Sequence, residues 1–226
     1  MASPQTTCWS VIEAAAAGAA GERQEFARRY GPVVRAYLAA RWRSSPCLQD
    51  LEDAVQEVFV ECFKAGGVLA RADRGRGEFR PFLYGVARNV ALRLERSRAR
   101  ELARRTPDGV DLDGLAGAED QLSSAFDRAW ARAILREAAR RQEQRAEEEG
   151  GAAKRRVELL RLRFHEGLPI RDVARRWGAD AAALHHEYAR ARQEFKAALL
   201  EVVAFHHPGA PAEVERACAE LLAHLG

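Results

Sequence analysis

EFRPFLYGVARNVALRLERSRAR, residues 78–100, places Phe79, Phe82, Leu83, Val86, Val90 and Leu94 at steps of three and four, a spacing that only a helix gathers on one side. Pro81 falls where a first helical turn tolerates it. The other face carries Arg80, Tyr84, Arg88 and Arg96. Exposed rings stack on unpaired bases and cations track a strand, so Tyr84 with Arg80, Arg88, Arg93 and Arg96 are candidates for holding melted DNA. Asn89 is a candidate for reading a base edge, whereas Phe79, Phe82 and Leu83 read more readily as core.

The same period continues outward in both directions, with no alternating β-branched run, so the predicted class is all-α. After an N-terminal extension, residues 1–21, a helix over about Glu22 to Arg43 carries Phe26, Tyr30, Val33, Val34, Tyr37, Leu38 and Trp42; Gly31-Pro32 makes it either two helices or one kinked helix. Leu51 to Lys64 follows, with Val55, Val58, Phe59, Cys62 and Phe63 on a stripe and Asp53, Gln56, Glu57 and Glu61 forming an acidic, exposed face. Residues 66–78, with Gly66, Gly67, Gly75 and Gly77, read as a loop, closing a first domain at 22–105.

Downstream, TPDGVDLDGLAGAED over Thr106 to Asp120 reads as a mobile boundary. Helical periodicity resumes at Leu122, Phe126, Trp130 and Ile134 and fades into the charged stretch Arg140 to Gly151, so residues 106–153 are expected to be a flexible acidic linker with partial helix. A second small domain spans 154–203, with Val157, Leu160, Leu162 and Phe164 as its first apolar set. The break His206-His207-Pro208-Gly209 precedes an amphipathic tail, 204–226, whose stripe is Val214, Ala217, Cys218, Leu221, Leu222 and Leu225.

Within the second domain, GLPIRDVARRWGADAAALHHEYARARQEF, Gly167 to Phe195, divides into two helical patterns about Gly178. Ile170, Val173, Ala174 and Trp177 make one buried stripe, Leu184 and Tyr188 the other, with Gly178 as a helix stop and Asp180 as an N-cap. This is a helix-turn-helix pattern, whose second helix can enter the major groove. Ala181, Ala182, His185, His186 and Glu187 would face the bases, while Arg190, Arg192 and Lys196 would meet phosphates, so upstream contacts are rich in charge and poor in base readout.

Charge along the chain alternates in sign. Residues 71–105 hold 11 arginines against 4 acids, residues 106–153 hold 6 bases against 11 acids, and residues 154–203 hold 11 bases against 7 acids. Two cationic blocks flanking an acidic one suit two contacts to a polyanion with a spacer that avoids it. Arginine outnumbers lysine by 33 to 3, which fits a GC-rich coding bias before any functional choice. Cys8, Cys47, Cys62 and Cys218 form no CxxC pair, so no zinc knuckle or disulfide framework is predicted and a reducing cytoplasm fits. No secretory leader or membrane span is read, and no metal or cofactor is expected. Asp111 and Asp113 fall in the glycine-rich boundary, and His185-His186 and His206-His207 lack metal spacing and are expected to cap or pack, so catalysis is not expected.

Taken together the motifs resemble the extracytoplasmic-function (ECF) sigma factors of bacterial RNA polymerase. LEDAVQEVFVECF, Leu51 to Phe63, resembles the DLVQEVF helix, and FRPFLYGVARN, Phe79 to Asn89, is similar to FRxWLYxIARN with Phe82 where tryptophan is usual. The resemblance implies that Asp53, Gln56, Glu57 and Glu61 dock on the clamp helices of the polymerase's largest subunit. It likewise implies that Arg80, Tyr84, Arg88, Asn89, Arg93 and Arg96 serve minus-ten recognition, and that the second domain reads the minus-thirty-five element beside the flap region. An anti-sigma protein is a further candidate partner. ADAAALHHEYARAR, Ala179 to Arg192, departs from the usual VPVGTVKSRLHRAR: the lysine, serine and arginine positions become His185, His186 and Glu187. A one-component helix-turn-helix regulator is the rival reading, and it gives the 51–63 helix no role.

Overall fold

The computed structural model describes residues 8–17, 20–64, 67–69, 79–105 and 119–226. Among them the regular structure is helical, without a strand, in agreement with the predicted all-α class. The helices are α1 (Cys8–Ala16), α2 (Ala20–Arg41), α3 (Leu51–Phe63), α4 (Phe79–Arg105), α5 (Glu119–Glu149), α6 (Gly151–Phe164), α7 (Ile170–Trp177), α8 (Ala181–His206) and α9 (Pro211–Ala223), with a 3-10 turn at Pro46–Asp50 ahead of α3. Gly66, Gly75 and Gly77 of the expected loop, and Asp111 and Asp113 with most of the expected boundary, lie outside the described residues.

α2 runs through Gly31-Pro32 without a break, so the proline is carried inside one helix at the cost of a single backbone hydrogen bond. Its apolar stripe, Phe26, Tyr30, Val33, Val34, Tyr37 and Leu38, is buried throughout, as is Trp42 just past its end. Aromatic rings knit α2 to its neighbours: Phe26 meets Phe79 of α4 at 5.8 Å between ring centroids, and Tyr30 stacks on Trp130 of α5 at 5.6 Å. On α3 the buried residues are Leu51, Ala54, Val58 and Cys62, one helical stripe, with Val55, Phe59 and Phe63 half-covered at its edges. Glu52 and Asp53 stand in the first turn of α3, where carboxylates favour the positive end of the helix dipole.

The middle of the chain differs from the expectation. Instead of a linker with partial helix, residues 119–149 form one continuous helix, and α5 buries Leu122, Phe126, Ala129, Trp130, Ala131, Ala133, Ile134 and Ala138 in the same core as α2 to α4. Its C-terminal half is held by polar groups where periodicity faded. The Glu137 carboxylate is buried and accepts from Arg140 at 2.7 Å and from Arg28 of α2 at 3.1 Å. Burial works to raise its pKa, and the guanidiniums of Arg140, Arg29 and Arg28 outweigh that and hold it below the usual carboxylate range. Gln142, also buried, donates to the Ala191 carbonyl of α8 at 3.1 Å. α5 ends at Gly150, whose φ of 93° is open to glycine, and α6 begins at the next residue.

α6, α7 and the start of α8 enclose a second, small core of Leu159, Leu162, Ile170, Val173, Ala174 and Leu184. Phe164, expected among its apolar residues, is instead 71% exposed, and Leu159 is fully buried; the two lie about 140° apart around the helix, so one cannot face the core if the other does. α8 then continues to His206 and returns to the main core through Ala198, Leu199, Val202 and Val203. α9 closes that core with Val214, Cys218 and Leu221, while Leu222, expected on the same stripe, is 41% exposed.

His206 packs, as one half of its histidine pair was expected to. Its Nδ1 lies 2.9 Å from the Val202 carbonyl, which can only accept, so Nδ1 donates and Nε2 is left to accept from the Tyr30 hydroxyl at 3.1 Å. Burial pushes its pKa down to about 3. The unfolded chain takes up that proton below about pH 6.5 and the folded chain does not, so this contribution is intact above pH 6.5 and is lost as pH falls toward 3. Between pH 7 and pH 5 the loss should be about 2 kcal/mol. Urea titrations of the wild type and His206→Gln at both pH values check this, since the glutamine variant should lack that part of the difference.

Candidate polymerase and nucleic-acid interface

The α3 helix turns its polar side outward because its other side is spent on the core. Asp53 and Gln56 are exposed, while Glu57 and Glu61 are half-covered. Those two carboxylates are engaged by a cation of α4: Arg93 donates to Glu57 at 2.7 Å and approaches Glu61 at 3.5 Å. Glu61 is paired as well with Lys64 at 2.7 Å, and the Lys64 hydrogen bond foremost, with Arg93 nearby, lowers its pKa. The acidic surface of α3 and the basic surface of α4 are therefore adjoining parts of one charged patch.

On α4 the six candidates divide into two stripes. Arg80, Tyr84 and Arg88 follow one another at intervals of four; Asn89, Arg93 and Arg96 lie about 150° around the helix from them. The second stripe is exposed and borders α3. The first is turned against α5, a partner that sequence spacing did not reveal. Arg80 is ion-paired with Asp127 of α5. Arg88 Nε and the Tyr84 hydroxyl both donate to Oε1 of Glu119, each at 2.7 Å. The Tyr84 ring is half-buried between Tyr37 at 5.3 Å and Phe126 at 5.2 Å, so it is core at its body and polar at its tip. Burial first, and the Glu119 carboxylate second, raise the Tyr84 pKa; the Tyr84 hydrogen bond foremost lowers that of Glu119.

Behind this contact lies Arg41, a residue the sequence reading counted only as part of a helix. Its side chain is 3% exposed and is gripped by Glu95 of α4 at 2.6 and 2.9 Å, a carboxylate that also accepts from the Trp42 indole at 2.7 Å. Arg41 Nη1 points to Tyr37 at 3.4 Å and to Oε2 of Glu119 at 3.9 Å. The Glu95 hydrogen bond outweighs burial and keeps Arg41 charged.

In the C-terminal part, α7 ends at Gly178, whose left-handed φ of 57° lets its N–H reach back to the last carbonyls of the helix. Asp180 caps α8 by accepting from the Ala183 N–H at 2.7 Å. Ala181, Ala182, His185 and His186 are exposed at the start of α8, as are Arg190, Arg192 and Lys196 farther along. Glu187 is drawn aside by the buried Arg156 at 3.7 Å, which also holds Glu194 at 2.8 Å. Arg171 and Arg175 of α7, not singled out in the sequence, are also strongly solvent-exposed, at 80% and 79%.

Among the described residues no three or more metal-binding side chains converge, and no helix is long and apolar enough to cross a membrane. All four cysteines are free and buried, and burial raises the Cys62 thiol to about 12.

A search among curated proteins finds no significant match. Residues 26–101, about a third of the chain, match the family model of sigma-70 region 2. That span takes in most of α2, all of α3 and nearly all of α4, the helices that carry the acidic and basic surfaces just described. Over these residues the chain is similar to region 2 of the sigma-70 transcription initiation factors.

Proposed function

We propose that the chain is a sigma factor of the ECF type. It docks on RNA polymerase core through Asp53, Gln56, Glu57 and Glu61, holds the minus-ten strand on α4, and anchors upstream duplex with α7 and α8. The observation that carries this reading is the adjacency, inside the region 2 match, of an outward acidic face on α3 and an outward Asn89, Arg93 and Arg96 stripe on α4. A one-component regulator would have no use for that pairing. Cations on the polymerase side can replace Arg93 as the partner of Glu57 and Glu61, because all three groups are reachable from solvent.

The start of α8 offers bases two alanines and two histidines, a set without the bidentate arginine, asparagine or glutamine contacts that give strong base discrimination. Upstream anchoring then rests on phosphate contacts from Arg190, Arg192, Lys196 and the exposed α7 arginines.

The docking surface is tested by Gln56→Ala with Glu57→Ala in the full chain. Affinity for core polymerase, measured by fluorescence titration, should fall about tenfold, the worth of one well-made polar pair. The melting temperature should stay within error, since neither side chain is buried. Unchanged affinity would remove the α3 face from the interface.

A further inference from the structure

We propose that Arg41, Tyr84 and Arg88 form a seat for one backbone phosphate of single-stranded promoter DNA, and that Glu119 occupies this seat in the free chain. The inference rests on the reading of α4 as a strand-binding helix and adds to it a site on another helix face.

Two donors from α4, the Tyr84 hydroxyl and Arg88 Nε, converge at 2.7 Å on a single oxygen of Glu119, and Nη1 of Arg41 lies 3.9 Å from the other. A phosphate presents oxygens of the same charge and accepting capacity, so it can be held by the same three groups. The seat is built and not merely superficial. Arg41 is buried and locked by Glu95, the Tyr84 ring is fixed between Tyr37 and Phe126, and only Arg88 has freedom at the rim, its side chain 42% exposed.

Glu119 is the replaceable member. It is the first residue of α5 and its side chain is 50% exposed. A carboxylate held in so exposed a pair is stabilised only weakly, so a polyanion brought close by polymerase can displace it. The neighbouring pair Arg80–Asp127 has little access to solvent, with Asp127 side-chain exposure at 10%, and is part of the joint that holds α5 in place. Displacement of Glu119 therefore needs a side-chain movement and leaves α5 packed.

The test measures binding of a fluorescein-labelled, thymine-rich 12-nucleotide single strand to the full chain by anisotropy over a range of salt. The variants are Glu119→Gln, Arg88→Ala and both together. Glutamine keeps an acceptor for Tyr84 and Arg88 and removes only the charge. Glu119→Gln should tighten binding about threefold to tenfold and steepen the dependence of log affinity on log salt by about 0.7, the increment for one more phosphate neutralised on a single strand. Arg88→Ala should cancel both gains, and thermal melts should show all three variants folded. If Glu119→Gln changes neither affinity nor salt slope while Arg93→Ala weakens binding, the seat is wrong and the strand-binding reading of α4 survives. If none of these substitutions alters binding, both are overturned.

Discussion

Trp130→Ala is expected to lower the stability of the chain by about 3–5 kcal/mol, the usual cost of emptying a buried tryptophan site. Trp130 is 3% exposed and touches four rings at once: Tyr30 at 5.6 Å, Phe126 at 6.4 Å, Phe79 at 6.3 Å and His206 at 5.2 Å between centroids. These rings come from α2, α5, α4 and α8, so the cavity opens at the point where the region 2 helices meet the C-terminal half of the molecule. For a chain of this length the loss corresponds to a drop of roughly 6–20 °C in Tm. Differential scanning calorimetry checks it, with Leu222→Ala as the control. That leucine is 41% exposed on α9 and its removal should cost under about 0.5 kcal/mol. A Trp130→Ala protein as stable as the control would mean that α5 is not seated against α2 in solution.

Glu95→Ala is the second large effect. It takes the bidentate partner from Arg41, whose side chain is 3% exposed, and the acceptor from the Trp42 indole. A buried guanidinium left without its carboxylate costs about 3–5 kcal/mol; because Glu95 is itself 18% exposed, the lower end of that range, about 3 kcal/mol, is expected. The double variant Arg41→Met with Glu95→Leu should recover much of the loss, since replacing both members of a buried pair with apolar groups is often close to neutral. Urea unfolding of the three variants checks this. If the single and double variants are equally unstable, the damage comes from packing around Trp42 and not from the stranded charge.

The helices that form region 2 were legible because large side chains carry their stripes. Phe26, Tyr30, Val33 and Tyr37 on α2, and Phe79, Leu83, Val86 and Val90 on α4, are buried as their spacing implied. α5 was half legible for the opposite reason. Beyond Ile134 its buried positions are Glu137, Ala138, Gln142 and Ala146, and a stripe made of alanine, a carboxylate and an amide looks like a solvated charged run. Only the three-dimensional partners Arg28, Arg29 and Ala191 show why those polar groups can be inside. Around the site, the outward placement of Asp53 and Gln56 followed from the helical period, whereas Arg96, read as sharing a face with Arg80, Tyr84 and Arg88, lies instead beside Asn89 and Arg93. The engagement of Tyr84 and Arg88 did not follow from that period, because Glu119 is 35 and 31 residues away in a segment read as linker, and Arg41 lay on a helix read only for its apolar residues.

α5 also bears on how the molecule comes apart. It supplies Phe126, Trp130 and Ile134 to the body built on α2, and Gln142 and Ala146 to the side where α6 and α8 lie. A cut on either side of it leaves one fragment without its central pillar, and the other with an apolar flank facing water. A single cooperative transition in calorimetry is therefore the expected result, with neither half folding when produced alone.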